Sequence, residues 1–563
     1  MAKETVTALV AAAISLVAIG LGTFYRRVLV IPTHLLSLPG VSPWTVIRLA
    51  LRRTPFLDSW AAQMAEIRAD ALRRGLITSA DATPRLWRAW SFGRWTVVVA
   101  NPDDLKTVLT RHEVFEKFAV TRFTSERSRL AGENVVSATT PTWKIHRKVV
   151  NPAFRRGFAT ELFAEPTRAL LGQLDRLADA GKPVEIADWM QRMTLDALSS
   201  GVFGRNFDSI NHPEGDAVQS YAGAMKLLFD PLSIVFGKLA DLHPRRRNAI
   251  HEADRFKAFV LTLIEEKSQE MAARRSGRAS LPHSDSAASD LGDLPSKEDD
   301  AEPHDLLEMM IDAAAEEGRG FSREDLRSNL IVFFIAGHDT TANTLAFALY
   351  LLGMHPEVQS KARAEVLAVM GDAKTTGSEK TSPAEVPFPT NDQQHKQLPY
   401  LTQVIKETMR IYPSVPVIFG RELQRDVVLH DGLKLPAGSL VSSHILAVQR
   451  AREYWGADAG VFRPERWEGL GTTGEPGDSN SGGGVPLHPG AHDFAWAPFG
   501  GGQRICLGQQ FSVIEQRVLL AMMLVRYEWK VVGDERALAG NPATTPAGLL
   551  HVEGVQLQLT RRN

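Results

Sequence analysis

One cysteine, Cys506, is all that the 563-residue chain contains. A lone cysteine can form no disulfide within the chain, which argues against a disulfide-stabilised secreted domain. Net charge is almost absent as well. The 64 Lys and Arg against 65 Asp and Glu leave −1 at pH 7, and the pI is near 7.0. Global electrostatics therefore do not point to nucleic acid, and any charged docking surface must be local. Internal repeats are missing, and residues 161–270 read as helical without a catalytic cluster. Within that stretch Phe229 to Phe236 is apolar and broken by Pro231, which suits either a pocket cover, a membrane contact or plain core. What the chain does have is 44% hydrophobic and 23% charged residues, the balance of a globular protein with a sizeable core.

The run from Thr5 to Tyr25 is uncharged and almost wholly apolar. Spanning a bilayer at 1.5 Å per residue takes about 20 residues, more than the ~7–15 of a signal-peptide core. Arg26 and Arg27 follow directly instead of a small-residue cleavage site. Residues 1–31 are thus expected to be an uncleaved anchor, with the arginine side and the bulk of the chain cytosolic. Pro32, Pro39, Gly40 and Pro43 make 32–57 a stiff hinge. Residues 58–563 are expected to be one large body. Polar, Ser-, Asp- and Gly-rich stretches at 276–304, 371–397 and 469–490 read as disordered insertions. Trp95 to Asn101 reads as a strand with Arg85-Leu86-Trp87 as its neighbour.

Cys506 sits in a glycine-rich loop, Phe499-Gly500-Gly501-Gly502-Gln503-Arg504-Ile505-Cys506-Leu507-Gly508. An apolar-periodic run follows it (Phe511, Ile514, Val518, Leu519, Met522). A thiolate beside a cation and a helix N-terminus is stabilised in its charged form, and such thiolates bind soft metals, haem iron among them. The alternative is a buried structural cysteine in a glycine turn. Further back, Phe321 to Pro356 predicts a helix of about 30 residues, roughly 45 Å long. Ser322 and Asp325 give it a weak capping box. Its centre, Ala336-Gly337-His338-Asp339-Thr340-Thr341, runs against helix propensity, as functional sites do. Gly337 would let a ligand approach, and the Thr hydroxyls can bond carbonyls one turn back. A polar interhelical contact is the bland reading of the same residues. Trp143 and Arg147 share a helical face, as do Glu407 and Arg410. Alone, these pairs read as a basic helix and a surface ion pair.

The loop fits F-x-x-G-x-R-x-C-x-G through Phe499, Gly502, Arg504, Cys506 and Gly508, and the chain strongly resembles the cytochrome P-450 family. W-x-x-x-R, A-G-x-D-T-T, and E-x-x-R with Pro464-Glu465-Arg466-Trp467 precede it in the family's order. The resemblance implies a mainly α fold with small β regions, a single large domain behind an N-terminal transmembrane helix, and haem b with Cys506 as axial ligand. It implies haem contacts from Trp143, Arg147, Arg421, Phe499, Arg504 and Gly508, the arginines and Trp143 serving the propionates. Asp339 and Thr340 would handle oxygen and protons, and Glu407, Arg410 and Arg466 would form a buried triad that locks the cysteine loop. Ala336 stands where some fatty-acid hydroxylases of the family carry a Glu bonded to haem, so that bond is impossible here. Gln449-Arg450 replaces the His-Arg of many relatives, which leaves the role of that position open. Val415 to Gly420 and Thr545 to Leu549 would line the pocket.

The implied activity is hydroxylation of a lipophilic small molecule with O2, either a fatty acid or alkane, or a terpenoid or polyketide secondary metabolite. Only 57 residues follow Cys506. A separate NADPH–cytochrome P-450 reductase on the endoplasmic reticulum membrane is therefore expected, with cytochrome b5 as an additional donor. Lys144, Lys148, Arg155 and Arg156 offer a basic surface for an acidic electron donor, or simply a solvated face. The insertions resemble those of fungal members. A haem-thiolate isomerase or dehydratase is one alternative. A membrane-tethered haem- or lipid-binding protein without turnover is another.

Overall fold

The computed structural model describes residues 25–91, 94–118, 130–155, 157–228, 244–279, 305–317, 320–371, 382–468, 494–546 and 548–562, besides positions 15 and 22. Apart from positions 15 and 22, the apolar run from Thr5 to Phe24 lies outside them, as do Phe229–Phe236, Arg156 and the 469–490 insertion. Helices dominate and pack around one long element. Five carry the argument: α1 (Thr140–Arg155), α2 (Ile186–Phe203), α3 (Arg323–Met354), α4 (Pro399–Ile411) and α5 (Gln509–Arg526).

The α3 helix starts where the capping box predicts. The Asp325 amide donates to Ser322 Oγ at 3.1 Å, and the Ser322 amide donates to Asp325 Oδ2 at 2.8 Å. Apolar residues surround its circumference, and it is buried from Leu326 to Gly353 except at its centre. Among the described residues it alone is long and apolar enough to cross a membrane, and 72% of that stretch is buried inside the protein. It is a core helix.

The main sheet has five strands: β1 (Leu86–Ser91), β2 (Arg94–Val99), β3 (Phe115–Lys117), β4 (Ile418–Leu423) and β5 (Leu440–Ser443), in the order β1-β2-β5-β4-β3. Leu86 pairs with Val99 antiparallel, as the sequence suggests, while β2 and β5 run parallel with Thr96 opposite Leu440. Val97, Val98 and Val99 are buried, so β-branched side chains fill a core of their own beside the helical one.

Two segments differ from expectation. The 32–57 stretch, expected as a stiff hinge, is docked on the main sheet. Leu35, Leu38 and Val41 are buried in the sheet's core, and the Arg88 amide donates to the Pro39 carbonyl at 2.8 Å. Burial of these three apolar side chains holds the stretch on the sheet. The stretch 371–397, expected as a disordered insertion, ends in an ordered helix, Asn391–Lys396, capped by Thr390 and Gln393. Ser276 to Ala279, read as the start of another, belongs to the helix Pro244–Ala279.

Candidate active site

Backbone hydrogen bonds fold the cysteine loop on itself. The Gly500 amide donates to Ala497 at 3.0 Å, Cys506 to Phe499 at 3.0 Å, and Ile505 to Gly502 at 3.1 Å. Gly502 has φ +65°, and a Cβ there would stand 2.6 Å from the Leu109 carbonyl oxygen. Only glycine lets the loop press on the helix Pro102–Thr110. Cys506 precedes α5 by three residues. Its side chain is exposed by accessible area yet enclosed by protein, because its free surface opens into an internal cavity. Burial pushes the thiol up, and the Gly508 amide and then the Arg147 guanidinium oppose that shift. The cation that faces Cys506 is thus Arg147, whose Nη1 donates to the Ile505 carbonyl at 3.1 Å. Arg504, adjacent in sequence, turns instead to the Ala138 carbonyl (3.0 Å) and Glu116 (3.3 Å).

The cavity holds about 330 Å³, within the range of small-molecule pockets. Its lining includes the apolar side chains of Leu198, Val202, Phe333, Ala336, Val415 and Ile418. Arg147, Arg421 and Arg504 line it too, with Trp143, whose ring lies 4.5 Å beneath the Arg504 guanidinium. Burial, and then Arg504 beside it, pushes Arg421 down to about 10. Burial pushes Arg504 down to about 10 as well, with Glu116 opposing and Arg147 reinforcing the shift. Nε of both Arg421 and Arg504 is buried without a hydrogen-bond partner among the described residues. A Cβ on Gly508 would meet nothing within 4 Å, so open space adjoins the thiol there. Phe499 lines the same cavity.

The α3 helix borders the same cavity as Cys506. Thr340 Oγ1 donates to the Ala336 carbonyl at 2.7 Å, and Ser414 Oγ donates to the Thr340 carbonyl at 2.7 Å. Thr344 and Ser414 hydroxyls are 2.9 Å apart, so α3 is tied to the segment after α4 at the level of Thr340. Gly337 serves packing rather than ligand approach alone, since a Cβ there would meet Leu198 Cδ1 at 3.0 Å. Asp339 does not line the Cys506 cavity. It faces a second cleft, with Tyr221 Oη donating to its Oδ2 at 3.4 Å and His338 Nε2 lying 3.4 Å from Oδ1. Thr545 and Leu549 line that second cleft too, a correction to their expected place beside Val415.

Glu407, Arg410 and Arg466 meet. Arg410 clasps Glu407 through Nε and Nη2, both at 2.8 Å, and Arg466 Nε donates to Glu407 Oε1 at 2.8 Å. Glu407 and Arg410 are fully buried, and Arg410 also donates to the Gln449 and Ala459 carbonyls. The sequence left Gln449 without a role. Its Nε2 donates to the Met409 carbonyl at 2.8 Å and its Oε1 accepts the Ala497 amide at 3.0 Å, which joins α4 to the cysteine loop. Trp467 Nε1 completes the set on Glu407 at 2.9 Å. Glu116, Ser414 and Gln449 escaped sequence reasoning. Ser414 carried a signal by lying next to Val415 in the expected pocket wall, Gln449 by its departure from the His-Arg of many relatives, and Glu116 none.

A wider cleft of about 970 Å³ lies behind α5, lined by Lys406 and Arg517, but neither Cys506 nor Thr340 borders it. The smaller cavity, which both residues border, is the site.

The Cytochrome P-450 family model matches residues 78–557. The chain belongs to the cytochrome P-450 family. It is 28% identical to cytochrome P-450 4A7 of Oryctolagus cuniculus over 459 residues, 80% of this chain and 78% of that protein. It is 29% identical to cytochrome P-450 4A11 of Homo sapiens over 445 residues, 77% of this chain and 75% of that one. Against cytochrome P-450 4d1 of Drosophila melanogaster the identity is 26% over 462 residues, 79% and 80% of the two chains. As a P-450, the chain is a haem-thiolate monooxygenase, whose cofactor is haem b on a cysteine thiolate. Cys506 is the one cysteine available. The residues present fit that group. Three guanidiniums line the cavity with Glu116 as their only carboxylate partner in the hydrogen bonds described, and two buried Nε–H donors point at no acceptor. Two propionates would answer that excess of cationic donors.

Proposed function

We propose that this P-450 hydroxylates an aliphatic C–H bond of a lipophilic small molecule, a fatty acid or alkane before a terpenoid or polyketide. The observation that carries the reading is one cavity bordered by Cys506, Thr340 and many apolar side chains, with three arginines in the same lining. Haem b, when bound, supplies oxygen activation and C–H oxidation. Cys506 would be its axial ligand, with the Gly508 amide and Arg147 holding the thiolate's charge. Trp143, Arg147, Arg421 and Arg504 would hold the propionates, while Phe499 and Gly508 would border the ring. Glu407, Arg410 and Arg466, with Gln449, hold the loop in register. The apolar side chains exclude water and orient hydrocarbon. The Thr340 hydroxyl, positioned by Ser414 on its own carbonyl, holds a proton at the cavity wall, and Asp339 resupplies it.

A redox partner is implied by the family, and NADPH–cytochrome P-450 reductase with cytochrome b5 is the proposed pair. Residues 1–24 would anchor the chain in the endoplasmic reticulum membrane with its body cytosolic. Exposed Tyr25, Val30, Leu36, Trp44 and Leu51 support a membrane-facing end next to that segment.

The test is the reduced-plus-CO spectrum of the purified protein. The red-shifted Soret band of a thiolate ligand is expected in the wild type and should vanish in Cys506→Ser. Its survival in that variant would overturn the ligand assignment. A screen of C8 to C18 fatty acids, alkanes and terpenoids for a substrate-induced spin shift then tests the substrate class.

A further inference from the structure

The cleft that Asp339 faces is separate from the Cys506 cavity. It holds about 440 Å³ between the start of α2, α3 and the C-terminal hairpin Ala543–Thr544/Val552–Glu553. Asp339 and Asn343 are four residues apart, so both point into it, while Thr340 and Thr344 point one step round the helix into the other cavity. His551 reaches the cleft from the hairpin, and its Nδ1 is hydrogen-bonded to Asn343 Oδ1. With Asn343 Oδ1 as the acceptor in this contact, Nδ1 carries the hydrogen and Nε2 is the basic atom. The Asn343 side chain is 1% exposed, and its Nδ2 has no hydrogen-bond partner among the described residues. A buried amide donor left without a partner beside a polar cleft marks a place for water.

Other groups face the same space. Glu185, Asp188 and Glu553 line it, His338 adjoins Asp339 from its own helix, and Arg192 pairs with Asp188 at 2.5 Å. Burial lowers His551 from the ordinary histidine range, the Asp339 charge raises it, and His338 lowers it. Burial raises Glu185 against the pull of the Asp188 amide. The hairpin is fixed in place: the Leu550 amide donates to the Ser414 carbonyl at 2.9 Å, and the Thr545 amide to the His551 carbonyl at 2.9 Å.

We infer that His551, oriented by Asn343, relays protons from this cleft to Asp339, and so to Thr340. The inference rests on the reading of Asp339 and Thr340 given above. Each turnover converts RH, O2, two protons and two electrons to ROH and water; the electrons come from the reductase and the protons from bulk solvent. The proton on Nε2 passes to the Asp339 carboxylate, directly or through one water in the cleft. Asp339 would hold that proton for its neighbour Thr340, haem b when bound would supply the oxygen chemistry that consumes it, and His551 is reprotonated from the rim. His551 touches no substrate and acts through Asp339, so it is a positioning and relay residue.

The experiment uses the full-length holoenzyme with added reductase and dodecanoic acid as probe. Its readouts are the share of NADPH electrons recovered as hydrogen peroxide and the solvent deuterium isotope effect on NADPH oxidation. His551→Gln keeps a hydrogen bond to Asn343 but carries no proton. It should raise the peroxide share and the isotope effect with the CO band unchanged. The expected loss of coupling is about tenfold, below the ~10²–10⁴-fold typical of a group at the reacting atoms, because water enters the same cleft. Asp339→Asn run in parallel separates the two claims. A defect in Asp339→Asn with none in His551→Gln overturns the relay and leaves the Asp339 reading standing. No defect in either overturns both. Should His551→Gln lose the CO band, Asn343→Leu decides: a raised isotope effect supports the relay, and a wild-type value overturns it.

Discussion

Two side chains on α3, one position apart, look into different spaces. Thr340 borders the cavity of Cys506, and its hydroxyl already bonds the Ala336 carbonyl, so it is held before any ligand arrives. Thr340→Ala is expected to keep the CO band and substrate spin shift while the share of NADPH recovered as product falls. Unchanged coupling would remove Thr340 from the proton path. Glu515 on α5 offers a second test at this scale. It is 1% exposed, both its carboxylate oxygens lack partners among the described residues, and burial pushes it well above the ordinary carboxylate value of 4.5. The sign follows from linkage. A folded-state value above the unfolded one gives stability that is whole below pH 4.5 and falls as pH rises toward the folded value. Glu515→Gln lacks that fall, so its stability advantage should grow between pH 5 and pH 8, reaching about 1–3 kcal/mol. Thermal melts of both proteins at the two pH values check this.

At the scale of elements, the cysteine loop depends on one contact between backbones. A Cβ at Gly502 would enter the Leu109 carbonyl and the Thr110 Cα, at 2.6 and 2.9 Å, in a left-handed conformation. Gly502→Ala should therefore cost more than the ~1–2 kcal/mol of that conformation alone, and should lower haem content as well as Tm. The loop, α3 and the Glu407 pair were legible in the chain because each motif fits within about ten residues of one element. The partners Glu116 and Gln449 were not, since they lie in segments whose position is set by sheet pairing and by the packing of α4. Asp339 falls between. Its helical step from Thr340 was readable, but that a cleft opens on its side depends on a hairpin more than 200 residues later. The docking of 32–57 on the sheet was not legible, because Leu35, Leu38 and Val41 are apolar residues too sparse to show a period.

For the whole molecule, half of the large apolar residues left exposed among the described residues come from the stretch before residue 52. Tyr25, Val30, Leu36, Trp44 and Leu51 all lie in the first 51 residues. Removal of residues 1–24 should weaken membrane association without abolishing it, and Trp44→Ser with Leu51→Ser should lower the remainder. Vesicle flotation of the two truncated proteins measures the difference; equal flotation would show that this end does not touch lipid. Packing of 32–57 onto β1 holds that stretch fixed to the body.

The tie from Gln449 to the Ala497 amide bears on how the protein acquires its cofactor. One end of the cysteine loop is latched to α4 by that bond, its middle is pressed on the helix Pro102–Thr110 by Gly502, and its far end runs into α5. Little conformational entropy remains for the loop to lose when haem arrives. The thiol is thus a fixed receptor rather than a searching strand. Capture of the cofactor would then be limited by how the rest of the cavity opens, not by the ordering of its ligand.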